Sequence, residues 1–122
     1  GFNLIGQTQA GKLCAGLISG GFIPPDSSPR DVENVFCGLP VETPVIWQIC
    51  QQKNKKEPDK KSLVCLLRLL GYSGTFKAED KTRLAVCFKD SKGQPMEVQD
   101  KTINDREPSV FAGKLESITK AL

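Results

Sequence analysis

Hydrophobic positions in the first half of the chain recur with helical spacing. Leu13, Leu17 and Ile18 share one face of residues 9–20, a helix weakened by its glycines and stopped by Gly20-Gly21 and Pro24-Pro25. Gly16 and Gly20 read as a small-residue pair for close packing. Residues 24–29 are a loop by composition. A second helix starts more clearly. Ser28 suits the cap, Pro29 the first helical position, and Asp31 follows three residues after the cap. Val32, Val35 and Phe36 then fall on one face, and Gly38-Leu-Pro40 ends the run. Thr43-Pro44 repeats the start signal, so Val45, Ile46, Ile49 and Cys50 predict a further helical stripe with Trp47 beside it. Residues 59–70 are apolar almost all round, which predicts a central buried helix opened at Pro58 and closed by Gly71.

The period then shortens. Leu84, Val86 and Phe88 alternate with Ala85 and Cys87, which predicts a strand. Asp90-Ser-Lys-Gly93 predicts a turn, Met96 and Val98 a return strand, and Thr75–Lys77 an earlier third strand. Phe111, Leu115, Ile118 and Leu122 form a stripe on a C-terminal helix starting near Pro108 and Ser109. The expected class is α+β: three or four helices, a small antiparallel sheet, then a C-terminal helix. One domain covers residues 1–122, with residues 1–8 as a flexible start. The longest apolar stretch, Leu13–Ile23, is far short of the roughly 20 residues of a membrane-spanning helix.

Charge singles out one segment. The chain carries 17 basic and 14 acidic residues, a net +3. Residues 53–61 hold five lysines against Glu57 and Asp59, an excess equal to that of the whole chain. Lys53, Lys55, Lys56, Lys60 and Lys61 are therefore the candidate contacts for an anionic partner, either RNA or an acidic membrane surface. Trp47 and Tyr72 are the aromatic candidates for a protein interface or self-association. Together these predict a non-enzymatic binding or assembly protein, of which viral matrix and nucleocapsid proteins are examples.

Composition removes several chemistries. The 122 residues include no histidine, so neither a Ser-His-Asp triad nor a Cys-His pair can be built. Five cysteines (Cys14, Cys37, Cys50, Cys65 and Cys87) are widely spaced in apolar surroundings. That favours free buried thiols over zinc ligands, and a reducing compartment such as the cytoplasm or a virion interior. A secreted effector or inhibitor with disulfides is the alternative. The carboxylate pairs Asp31/Glu33, Glu79/Asp80, Glu97/Asp100 and Asp105/Glu107 all read as solvated surface. Gly6-Gln-Thr-Gln-Ala-Gly11-Lys12 has the spacing of the phosphate-binding loop of P-loop NTPases. Leu13 stands where that loop needs a hydroxyl for magnesium. A nucleotide-binding protein using Lys12 is thus a second alternative, and nothing else in the sequence requires a cofactor or metal.

Overall fold

Ser28 caps a helix as its sequence predicts: its hydroxyl accepts the Arg30 N–H at 3.2 Å, and Pro29 opens the first turn. The computed structural model describes residues 1–122. Its elements are α1 (Gln7–Ser19), α2 (Pro29–Phe36), β1 (Val45–Ile46), α3 (Lys60–Leu69), α4 (Ala78–Cys87), β2 (Phe88–Lys89), α5 (Asp100–Ile103) and α6 (Ala112–Lys120). The α+β class holds in broad terms, but the sheet is a parallel pair, β1 beside β2, rather than an antiparallel one.

The helix expected from Thr43-Pro44 is absent. Val45 and Trp47 are buried and Ile46 and Gln48 are only half-buried, an alternation of period two. Each backbone donor goes to a different part of the chain: Trp47 N–H to Lys89 O at 2.7 Å, Gln48 N–H to Phe22 O at 2.9 Å. Two separate segments claim this stretch and hold it extended. The local start signal is overridden by tertiary bonds.

The strand expected at Leu84–Phe88 is mostly helix. Asp80 accepts the Lys77 N–H at 2.7 Å, and Glu79 and Asp80 place negative charge at the positive end of α4. Asp80, Leu84 and Cys87 are buried at i, i+4, i+7, whereas Val86 is 56% exposed, which a strand of that register would have buried. Only Phe88 and Lys89 are extended. The turn at Asp90–Gly93 does form, with Gly93 at φ +81°. Its return path is reduced to a single antiparallel bridge, Lys89 to Pro95, because proline has no N–H to extend the ladder. Thr75–Lys77 is not a strand; Phe76 instead buries its ring edge-on against Tyr72, 5.1 Å between centroids.

One cluster of 23 buried residues unites these elements. Phe2 belongs to it, and the N-terminal residues run beside α2, with Phe2 N–H to Val35 O at 2.6 Å and Leu4 N–H to Phe36 O at 2.9 Å. Gly16 lets α6 approach α1: a Cβ there would stand 2.7 Å from Ile118 Cγ2. At the centre lies Trp47, fully buried, stacked on Phe22 at 5.4 Å and edge-on to Phe88 at 6.4 Å.

The Trp47 indole is also bonded. Its Nε1–H donates to Ser62 Oγ at 3.0 Å and to Asp59 O at 3.3 Å. Ser62 Oγ in turn donates to Asp59 O at 2.7 Å, and Asp59 Oδ1 accepts Ser62 N–H at 2.8 Å, capping α3. Trp47→Phe removes the donor and leaves a void. It should cost about 2–4 kcal/mol in denaturant unfolding, whereas Ser62→Ala, which leaves the Asp59 carbonyl in reach, should cost about 1 kcal/mol. Equal small losses for both would show that the polar knot contributes little.

Candidate functional site

The lysine-rich connection is an ordered hairpin leading into α3. Cys50 bridges to Pro58, Gln51 N–H donates to Glu57 O at 3.0 Å, and Asp59 N–H donates to Ile49 O at 2.9 Å. At the tip, Asn54 turns the chain: its Oδ1 accepts Lys56 N–H at 3.2 Å and its carbonyl accepts Glu57 N–H at 3.1 Å. The five candidate lysines therefore fall into two groups. Lys53, Lys55 and Lys56 stand exposed on the hairpin, and Lys60 and Lys61 occupy the first turn of α3.

Lys53, Lys60 and Lys61 line a cleft of about 470 Å³ together with Gln51, Gln52 and Thr102. Lys55 and Lys56 lie outside it. Three carboxylates also border the cleft: Glu57, Asp59 and Asp105. Asp59 is spent on capping. Asp105 Oδ2 accepts from Lys61 Nζ at 3.0 Å and its Oδ1 from Glu107 N–H at 3.0 Å. The Lys61 ammonium, followed by the Glu107 amide, holds the Asp105 carboxyl below its ordinary 3.8. Lys53, Lys55, Lys56 and Lys60 have no ion-pair partner. Lys60 and Lys61 also sit at the positive end of the α3 dipole, where cations are disfavoured by a few tenths of a kcal/mol.

The two aromatic candidates differ. Trp47 presents no surface to a partner; it is the centre of the core, for the packing and bonding reasons given above. Tyr72 is half-buried, its ring edge-on to Phe2 at 5.2 Å and its hydroxyl donating to Asp80 Oδ1. Asp80 is not the solvated group its sequence neighbours suggest. It is 8% exposed, and besides Tyr72 it faces Arg83 Nη1 at 3.7 Å. The Tyr72 hydroxyl first, then the Lys77 amide, lowers its pKa from 3.8.

Gly6–Lys12 does not form a phosphate loop. Helix α1 begins at Gln7, so Gly11 and Lys12 lie within it, and the N–H groups of Gln9 and Ala10 are already bonded to Gly6 O at 3.1 and 3.2 Å. No run of free amides is left to wrap a phosphate. No group of three His, Cys, Asp or Glu side chains converges on a possible metal position, and no helix is long and apolar enough to cross a membrane. All five cysteines are unpaired. Burial pushes the thiols of Cys14, Cys37, Cys65 and Cys87 above their ordinary 9.0. Comparison with protein-family models, curated protein sequences and solved structures returns no match.

Two measurements follow from this chemistry. Five thiols should react with a disulfide reagent in denaturant without reductant, and in the native protein the buried Cys14 and Cys87 should react slowest. A count below five in denaturant would show bridges. A depressed carboxyl stabilises the fold above its unfolded value and loses that contribution as pH falls through its lower folded value. Asp80→Asn should therefore flatten the acid side of the stability profile below about pH 4. An acid limb identical to that of the wild type would place the titration elsewhere.

Proposed function

We propose that this is a non-enzymatic binding or assembly protein that contacts an anionic partner through Lys53, Lys55, Lys56, Lys60 and Lys61. The observation that carries the reading is the state of these lysines. Four of the five have no ion-pair partner, although the chain has nearly as many acidic as basic groups. They occupy one hydrogen-bonded hairpin and the helix start that follows it, so the backbone gathers them on one short segment. Ammonium groups in this state neutralise phosphates by displacing condensed counterions. The hairpin carries no aromatic side chain for base stacking, which suits recognition of charge rather than of sequence.

The test is binding of a labelled oligouridylate and of phosphatidylserine-containing vesicles across about 50–200 mM salt. The triple variant Lys53→Gln, Lys55→Gln, Lys56→Gln should weaken binding. If each tip lysine meets one phosphate of a single strand, the log–log salt slope should fall by about 2. Its melting temperature should stay close to that of the wild type, since these side chains are exposed. Binding with the wild-type affinity and slope would overturn the reading, as would absence of binding to either probe by the wild type at low salt.

A further inference from the structure

Lys61 differs from the other four lysines in having a partner already. Asp105 lies 44 residues away in sequence, in the connection between α5 and α6, and reaches Lys61 across the mouth of the cleft. Its carboxylate is aimed by the Glu107 N–H, which takes the other oxygen. A second cleft, of about 280 Å³, opens on the far side of this pair and shares Lys61, Thr102 and Asp105 with the first. The ion pair therefore borders both hollows. Both members are partly open to solvent, with side-chain exposures of 29% for Lys61 and 40% for Asp105. A pair this exposed is weak, worth no more than about a fivefold change in an equilibrium.

We propose that Asp105 is an internal competitor for the anionic ligand, and that the ligand which displaces it is a phosphate of a single-stranded RNA lying in the cleft. The inference rests on the lysine segment being the contact surface. A carboxylate oxygen 3.0 Å from an ammonium occupies the position a phosphate oxygen would take. The shape selects the ligand. A bilayer surface meets protrusions, and could reach Lys55 and Lys56 at the hairpin tip. Lys61 lines the cleft and is less exposed than Lys55 and Lys56 at the tip, so a strand lying along the cleft reaches it more readily than a flat headgroup layer does. The cleft walls also carry Gln51, Gln52 and Thr102, whose amides and hydroxyl can bond the sugar hydroxyls and base edges of a nucleotide. The hairpin from 51 to 58 presents no large apolar side chain to embed in lipid. Beyond the shared pair, the second cleft is bordered by two carboxylates, Glu107 and Glu116, and by one cation, Arg68, whose Nη1 already donates to Tyr72 O and Gly74 O.

Asp105→Asn tests this with little disturbance, because the asparagine Oδ1 can still accept the Glu107 N–H. The measurement is affinity for a labelled oligouridylate against salt, with circular dichroism to verify folding. Asp105→Asn should tighten binding about fivefold at low salt. It should steepen the salt slope by about 0.7, the value of one newly engaged phosphate on a single strand. Asp105→Ser, whose hydroxyl also caps the turn, should show the same gain, and adding Lys61→Met to either should abolish it. Affinity for phosphatidylserine vesicles should not change in Asp105→Asn. If the tip-lysine triple variant loses RNA binding but Asp105→Asn behaves as wild type, the competitor is wrong while the contact surface stands. Vesicle binding without RNA binding overturns the choice of ligand. Absence of any binding by the wild type and by Asp105→Asn overturns both.

Discussion

The hydrogen bond from the Trp47 indole to the start of α3 organises much of this molecule. Trp47 is the largest fully buried side chain, and an indole N–H cannot be buried without an acceptor except at a cost of a few kcal/mol. Ser62 Oγ and Asp59 O supply the acceptors, one in the first turn of α3 and the other at its cap. The bond therefore locks the rotation and position of α3 relative to the parallel pair of β1 and β2. No buried side-chain polar atom is left without a partner in the structure, so the knot satisfies itself within the apolar core.

This constraint also explains why the lysine segment is ordered. Its two ends are fixed by the core: Ile49 and Asp59 are joined by a backbone bond, and Asp59 is held in the Trp47 knot. Closing a short loop between fixed ends costs little further entropy, and the Asn54 turn takes up the reversal. The exposed ammonium groups then extend from a base joined by hydrogen bonds to Trp47. Packing and electrostatics are joined at one residue, Asp59, which caps the helix with its carboxylate and accepts the indole with its carbonyl.

What could be read in the sequence follows the range of the interactions involved. α1, α2, α3 and α6 are set by neighbours within a few residues, such as Ser28 with Pro29 or the stripe around Leu115, and their positions were legible. Residues 45–50 were not, since their donors are claimed by Lys89 and Phe22, far away along the chain. Leu84–Phe88 is ambiguous in a different way. Five apolar residues fit either period, and the arbiter is Asp80 four residues before, whose carboxylate accepts the Lys77 N–H and starts a helix. The lysines of the site were visible as a charge run. Their division between tip and cleft was not, and neither was Asp105, whose relation to Lys61 exists only once α5 packs on α3. The Tyr72–Asp80 contact likewise makes one member of a surface-looking acidic pair, Asp80, a buried and bonded group, while Glu79 stays exposed.

The placement of Lys60 and Lys61 runs against local stability, and that conflict is itself informative. The first turn of a helix favours Asp or Glu, and α4 follows that rule with Glu79 and Asp80. α3 has two lysines there and no acidic residue inside its first turn. The cost is partly offset by Asp59 at the cap and by Asp105 across the cleft, so the fold tolerates the arrangement rather than requiring it. Sequences tend to depart from local preference where a function draws on the departure. Here the cations disfavoured by the helix dipole are those lining the cleft, next to unpaired lysines on a hydrogen-bonded hairpin. The Asp59 carboxylate already occupies the end of α3, so what an incoming phosphate would meet is the ammonium groups themselves, and it would relieve a repulsion that the isolated protein carries.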